Sequence, residues 1–115
     1  MSKHDELAID QQQLMEAWQH ALPTTINEAD RAEVHADEAD PTALRVTIHT
    51  AGHQMYDFDF KVAYVDGREV QTTLIDVEKD GRTVDERTEI IQELVQDYTR
   101  HIHECAQALH DLTHP

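Results

Sequence analysis

The densest group of chemically capable side chains lies near the carboxyl end of the chain, between residues 100 and 114. This stretch holds four of the nine histidines, the only cysteine and two carboxylates. Imidazole, thiolate and carboxylate groups are the usual ligands of zinc, and paired histidine and cysteine side chains also support nucleophilic catalysis. The stretch therefore raises the question of a metal site or a catalytic centre on one helix.

The histidine spacing does not complete a metal site. His110 and His114 are four residues apart, and His101 and Cys105 have the same spacing, so each pair shares one helix face. A structural zinc ion needs four ligands, and the chain offers no second pair with the usual short spacing. We therefore expect no bound metal and no cofactor, and we keep as weak metal candidates His103, His110 and His114.

Nucleophilic catalysis is also disfavoured. A reactive cysteine needs an exposed, electropositive environment, whereas Cys105 falls on an apolar stripe near a helix C-terminus of an acidic protein. The chain has three glycines. It lacks the Gly-x-Ser-x-Gly turn, the phosphate-binding loop and the dinucleotide fingerprint. We expect that the protein is not an enzyme.

The net charge is the strongest feature of the composition. Nine Lys and Arg stand against 24 Asp and Glu, which gives a net charge of −15 with neutral histidines. Such a surface repels nucleic-acid phosphates and anionic membranes, so we expect no direct binding to either. It favours a basic protein partner and steers that partner at low salt.

Cysteine usage and hydropathy bear on location. A single cysteine cannot form an internal disulfide, which fits a reducing compartment. No apolar run is long enough to span a bilayer, and the polar opening residues do not resemble a secretion signal. We expect a cytoplasmic protein.

A first helix is predicted from Ser2, a favourable N-cap residue, to Pro23, which ends it. Gln11 interrupts its apolar stripe. The stripe is formed by Leu7, Leu14, Trp18 and Ala21.

A second, longer helix is predicted near the carboxyl end. Thr83 and Glu86 have the spacing of a capping box and predict its start. Apolar or neutral residues then recur at alternating intervals of three and four, and they predict the side that packs on a sheet. These residues are Thr88, Ile91, Val95, Tyr98, Ile102, Cys105, Leu109 and Leu112.

Alternation of apolar and polar residues predicts strands at 44–49, 56–64 and about 69–78. Asp66-Gly67 predicts a hairpin with a type I′ turn, and Asp80-Gly81 predicts a second turn.

Residues 24–41 are ambiguous between two structures. Thr25 and Glu28 have capping-box spacing and favour a short helix. The alternative is an edge strand at residues 32–36, in which Val34 is the only large apolar residue.

The element order predicts one α+β domain over residues 1–115. An N-terminal helix precedes a three- to four-stranded antiparallel meander, and a long C-terminal helix packs on the same sheet face, in the order α-β-β-β-α.

The expected function is a non-enzymatic module that binds a basic protein through an acidic surface. It would act as an adaptor, as an inhibitor, or as a charge mimic of nucleic acid. One alternative is a homodimeric structural or chaperone-like protein that pairs through the C-terminal helix or a sheet edge. Another is a metal-binding protein that uses the histidine-rich helix. The candidate binding residues are Glu28, Asp30, Glu33, Asp37, Glu38, Asp57 and Asp59.

Overall fold

A computed structural model describes residues 7–51 and 56–114 of the chain. Helix α1 is followed by a 3₁₀ turn, five strands, a long helix α2 and a short helix α3. The bounds are α1 Gln11–Ala21, the 3₁₀ turn Leu22–Thr24, β1 Arg31–Ala36, β2 Ala43–His49, β3 Tyr56–Tyr64, β4 Val70–Lys79, β5 Arg82–Thr83, α2 Glu89–Ala108 and α3 His110–Thr113.

The strands form one antiparallel sheet in chain order, from β1 to β5. The predicted α+β class and its order of helix, meander and long helix are confirmed. The strand count differs slightly, because the sheet has five strands rather than three or four. The ambiguous segment supplies strand β1, and β5 adds two residues after the second turn.

One face of the sheet forms the core together with α1 and α2. Leu44, Val46 and Ile48 of β2 are fully buried, as the alternation predicts. Trp18 of α1 packs against the same face, and its Nε1 donates to the Tyr64 hydroxyl at 3.1 Å. Helices α1 and α2 therefore cover one side of the sheet, and most of the polar strand residues lie on the other side.

Helix α1 begins later than predicted. Asp10 is its N-cap, and the Asp10 carboxylate accepts a hydrogen bond from the Gln13 N–H at 2.8 Å. Leu7 precedes the helix, and the predicted cap Ser2 lies outside the described residues. An aspartate that satisfies a free N–H of the first turn is sufficient to fix this start.

The capping box predicted at Thr83 is wrong, because Thr83 belongs to β5. The Val84 N–H donates to the Val77 carbonyl at 2.9 Å, which holds this segment extended beside β4. Helix α2 begins after Thr88. Pairing of residues 82 and 83 with β4 therefore overrides the local capping signal.

The two hairpin turns also differ from each other. Among the described residues, positive φ occurs at Asp80 (55°) and Gly81 (77°), as a type I′ turn requires. Asp66 closes the other hairpin with its side chain, which accepts from the N–H groups of Arg68 and Glu69 at 2.8 and 2.9 Å. The hairpin after β3 is therefore confirmed, but its predicted type I′ turn is wrong.

Gln11, which interrupts the apolar stripe of α1, joins the helix to the loop between β1 and β2. Its Nε2 lies 3.0 Å from the Asp37 carbonyl, 3.0 Å from the Asp40 carbonyl and 2.8 Å from the Ala43 carbonyl. One half-buried amide thus lies within hydrogen-bonding distance of two loop carbonyls and of the first carbonyl of β2, which explains a polar residue at this position.

Candidate binding surface

The face of the sheet that turns away from both helices carries a concentration of carboxylates. The strand register places Asp57 of β3 opposite Glu78 of β4, and Asp59 opposite Asp76. Glu33 of β1 lies two strands away in the same row as Asp59. We call these five residues the acidic end of the open face: Glu33, Asp57, Asp59, Asp76 and Glu78.

A bulge in β4 brings Asp76 and Glu78 to this face. Asp59 is paired with Asp76, but the next residue of β3, Phe60, is paired with Leu74, so Ile75 is an extra residue. An extra residue reverses which side chains point to each face beyond it. Leu74 therefore points to the core, and Asp76 points outward beside Asp59.

Three of the carboxylates lie close together. One oxygen each from Asp59, Asp76 and Glu78 lie within 4.8 Å of one another. The hydrogen bond with the Asp76 side chain is the main cause that raises the pKa of Glu78, and repulsion from the neighbouring carboxylates adds to it. Three oxygens are fewer than the six to eight that Ca²⁺ takes, so we assign no cation to this cluster.

His49 links two strands at the acidic end. Its Nδ1 lies 2.6 Å from Asp57 Oδ1, and its Nε2 lies 3.2 Å from Glu33 Oε2. Both ring nitrogens can donate only when the imidazole is protonated. The hydrogen bond with Asp57, followed by the contact with Glu33, raises the pKa of His49. The cation therefore partly neutralises this end of the face as pH falls.

The opposite end of the open face is less acidic. Arg45 and Lys61 are paired across β2 and β3 in the next row of the sheet. Arg45 Nε lies 2.7 Å from Asp37 Oδ1, and Lys61 Nζ lies 3.9 Å from Asp40 Oδ2. The carboxylates of the open face are therefore concentrated at the acidic end, on β1, β3 and β4.

Two candidate binding residues hold loops of their own chain. Asp37 is buried, with 5% of its surface exposed. Its carboxylate accepts from Arg45 and from two backbone N–H groups of the following turn, and the Arg45 bond is the main cause that lowers the pKa of Asp37. Asp30 accepts from the Ala51 N–H at 3.0 Å and from the Tyr98 hydroxyl at 2.8 Å.

The remaining candidates separate into two groups. Glu33, Asp57 and Asp59 share the open face, and Glu28 and Glu38 are exposed in the loops on either side of β1. Asp76 and Glu78 are not among the binding residues predicted from the sequence. Their signal is the adjacent pair Leu74-Ile75 followed by Asp-Val-Glu, a break in alternation that indicates a bulge.

The weak metal candidates His103, His110 and His114 lie on α2, on α3 and just after α3. His103 and His110 are exposed, and the His110 and His114 rings lie 5.4 Å apart between centroids. Cys105 is fully buried, and burial raises the pKa of its thiol to about 12. Within the described residues, the side chains close enough together to hold a metal ion are those of Asp59, Asp76 and Glu78, and none of the three lies on α2 or α3.

Comparisons of the chain with protein-family models, with curated proteins and with solved structures give no match. None of the helices in residues 7–51 and 56–114 is both long and apolar enough to cross a membrane.

Proposed function

We propose that the protein is a non-enzymatic binding module that holds a basic segment of a partner protein against the acidic end of its open face. The observation that carries this proposal is the placement of five carboxylates on a sheet face that neither helix covers. The partner's class is a protein with clustered lysine or arginine, such as one that handles nucleic acid. Adaptor, inhibitor and charge mimic are all compatible with that contact.

Charge and local geometry both support a basic partner. A net charge of −15 attracts a cationic surface over distances up to about the Debye length, roughly 10 Å at 0.1 M salt. The acidic end then offers a local target in which repulsion among Asp59, Asp76 and Glu78 is relieved when a cation approaches. Relief of this repulsion makes the complex more favourable than a single surface ion pair would be.

The test compares two triple variants that lose the same charge. Asp59→Asn, Asp76→Asn and Glu78→Gln neutralise the close cluster. The control variant carries Glu16→Gln, Glu89→Gln and Glu93→Gln, three exposed positions on the helices, away from the open face. The tagged wild-type chain and both variants are used to capture proteins from a lysate of the source cell, with washes at low and then high salt.

The proposal predicts a basic partner that the wild-type chain and the control variant retain at low salt and release at high salt. The cluster variant should bind that partner at least about tenfold more weakly than the control, because it loses the local target as well as net charge. Equal weakening by both variants would reduce the effect to overall charge and overturn the assigned surface. Absence of any partner at low salt would overturn the function.

A further inference from the structure

The β1 edge and the β4 edge of the sheet differ in how far their outward backbone groups are covered by other parts of the chain. On the β1 edge, Gln19 of α1 takes the place of a neighbouring strand. Its Nε2 donates to the Ala32 carbonyl at 3.1 Å, and its Oε1 accepts from the Val34 N–H at 2.9 Å. Arg31 and Glu33 add charges to this edge. Charged residues and covering groups of this kind prevent pairing with another chain.

On the opposite edge, residues 70–74 of β4 have neither charged side chains nor a covering group among the described residues. Strand β5 pairs with β4 at Glu78 and Lys79 alone. The preceding residues, Val-Gln-Thr-Thr-Leu, carry no charge. Within the described part of the chain, no side chain hydrogen-bonds to their backbone, and no strand lies beside them on the side away from β3. This segment combines high strand propensity with an open ladder.

The hydrogen-bond pattern shows which backbone groups face the open side. The Tyr64 N–H donates to the Thr42 carbonyl at 2.9 Å, so the backbone of Tyr64 faces β2. Val70 is paired with Tyr64, and an antiparallel ladder alternates regularly along the strand. The N–H and C=O groups of Val70, Thr72 and Leu74 therefore point away from β3.

We propose that residues 70–74 of β4 pair antiparallel with the same residues of a second copy of the chain, with a two-fold axis at Thr72. This arrangement forms about six backbone hydrogen bonds and joins two five-stranded sheets into one. It places Val70 opposite Leu74 of the second copy and Thr72 opposite its own counterpart. On the outer face, Gln71 lies opposite Thr73 of the second copy.

The side chains of this segment suit a second copy of the chain. Val70, Thr72 and Leu74 are half-buried on the core side, so pairing would complete the burial of two apolar residues. The buried Thr72 hydroxyl has no hydrogen-bond partner among the described residues. Threonines that lie directly opposite each other across antiparallel strands can form a hydrogen bond, which a change of the Thr72 rotamer would allow.

A basic segment is less well matched to this edge. Residues 70–74 offer no carboxylate to pair with lysine or arginine, and the acidic end lies on the outer face beyond the bulge. The same neutrality removes local like-charge repulsion between two copies of an acidic chain. The inference is independent of the proposed function, because it uses different residues and predicts the opposite salt dependence.

The test measures the mass of the full-length chain by sedimentation velocity between about 1 and 200 µM, where mass action moves the dimer fraction. The inference predicts a concentration-dependent dimer that salt strengthens, since each copy carries −15 and salt screens their repulsion. Gln71→Lys with Thr73→Lys should raise the dimer Kd at least about tenfold, because lysines then lie opposite lysines at two symmetric pairs.

The control variant carries Gln13→Lys with Gln96→Lys, two exposed positions on the helices that change the net charge equally. It should keep or strengthen the dimer. Mixing the Gln71→Lys and Thr73→Lys chain with a Gln71→Glu and Thr73→Glu chain should restore pairing as a heterodimer. Restoration would also show that the edge variants fold.

The axis is tested separately with Thr72→Cys, which should give a disulfide-linked dimer under a mild oxidant, because paired residues in such a ladder have Cα atoms about 4.5–5.5 Å apart. A monomer across the whole concentration range would overturn the inference. So would a dimer that the lysine pair does not weaken, or a Thr72→Cys chain that does not cross-link.

Discussion

At the scale of single residues, the acidic end is a place where like charges oppose folding and one histidine offsets them. Asp57 and Asp59 could be recognised from strand alternation, since they are the outward residues of a clear strand. Asp76 and Glu78 are recognisable only if the break in alternation at Leu74-Ile75 is interpreted as a bulge, and their neighbours on β3 depend on pairing that the local sequence does not contain. Alternation along the sequence indicates the face of a strand on which a residue lies. It does not determine the residue of the neighbouring strand with which it is paired.

The effect of the Asp57 contact on His49 can be tested by titration. Asp57→Asn removes the main cause of the raised pKa of His49, so that pKa should fall towards 6.5, as followed by NMR titration of the ring protons. A raised folded pKa means that the histidine contributes stability fully below 6.5 and loses it as pH rises through the folded pKa. The contribution should be below about 1 kcal/mol, since the ring is 32% exposed.

Glu38→Gln, which neutralises a carboxylate away from the open face, is the control for this titration. A His49 pKa that responds equally to both variants would show that overall charge, rather than the contact with Asp57, sets it.

Glu78 should behave in the opposite sense. Its raised pKa means that ionisation disfavours the folded state, so its contribution to stability falls as pH rises through its pKa. Glu78→Gln should therefore raise the melting temperature at pH 7. The gain should disappear at acidic pH, below the ordinary pKa of 4.5, where the carboxyl is protonated in both states.

Thermal unfolding at the two pH values measures this effect, with Glu93→Gln as an exposed control on α2. A lower melting temperature for Glu78→Gln at pH 7 would contradict this prediction, because it would mean that the ionised carboxylate stabilises the folded state.

At the scale of elements, the boundaries depend on contacts that the local sequence does not contain. The strands from Leu44 and from Tyr56 follow alternation closely, because each buries one full face. The predicted start of α2 at Thr83 is wrong because Thr83 pairs with β4. The predicted type I′ turn between β3 and β4 is wrong because the Asp66 side chain closes that hairpin. Tertiary pairing and side-chain capping outweighed the local signals in both places.

Gln11 shows how a polar residue on an apolar stripe can hold an element in place. Gln11→Ala should lower the free energy of unfolding by about 1–3 kcal/mol, because the carbonyls of Asp37, Asp40 and Ala43 lose the amide that contacts all three. Urea denaturation measures the loss, and Gln12→Ala, at an exposed neighbouring position, should cost far less. Equal losses would indicate helix propensity rather than the loop contact as the cause.

At the scale of the whole molecule, two surfaces lack a partner within residues 7–51 and 56–114. The outer face of the sheet is acidic, and the edge of β4 is neutral and open. Composition shows that the chain is acidic and motivates the proposal of a basic partner, but it cannot show that the carboxylates meet on one face. That placement follows from an antiparallel meander whose two helices both pack on the same side.

The proposed binding surface can be located by an NMR titration of the ¹⁵N-labelled chain with the basic partner released by salt in the capture experiment. We expect amide shift changes concentrated on β2, β3 and β4 around Thr47, Asp59 and Glu78, which fade as salt is added. Changes confined to the β1–β2 loop or to α2, with these amides unmoved, would contradict the assignment of the open face as the binding surface.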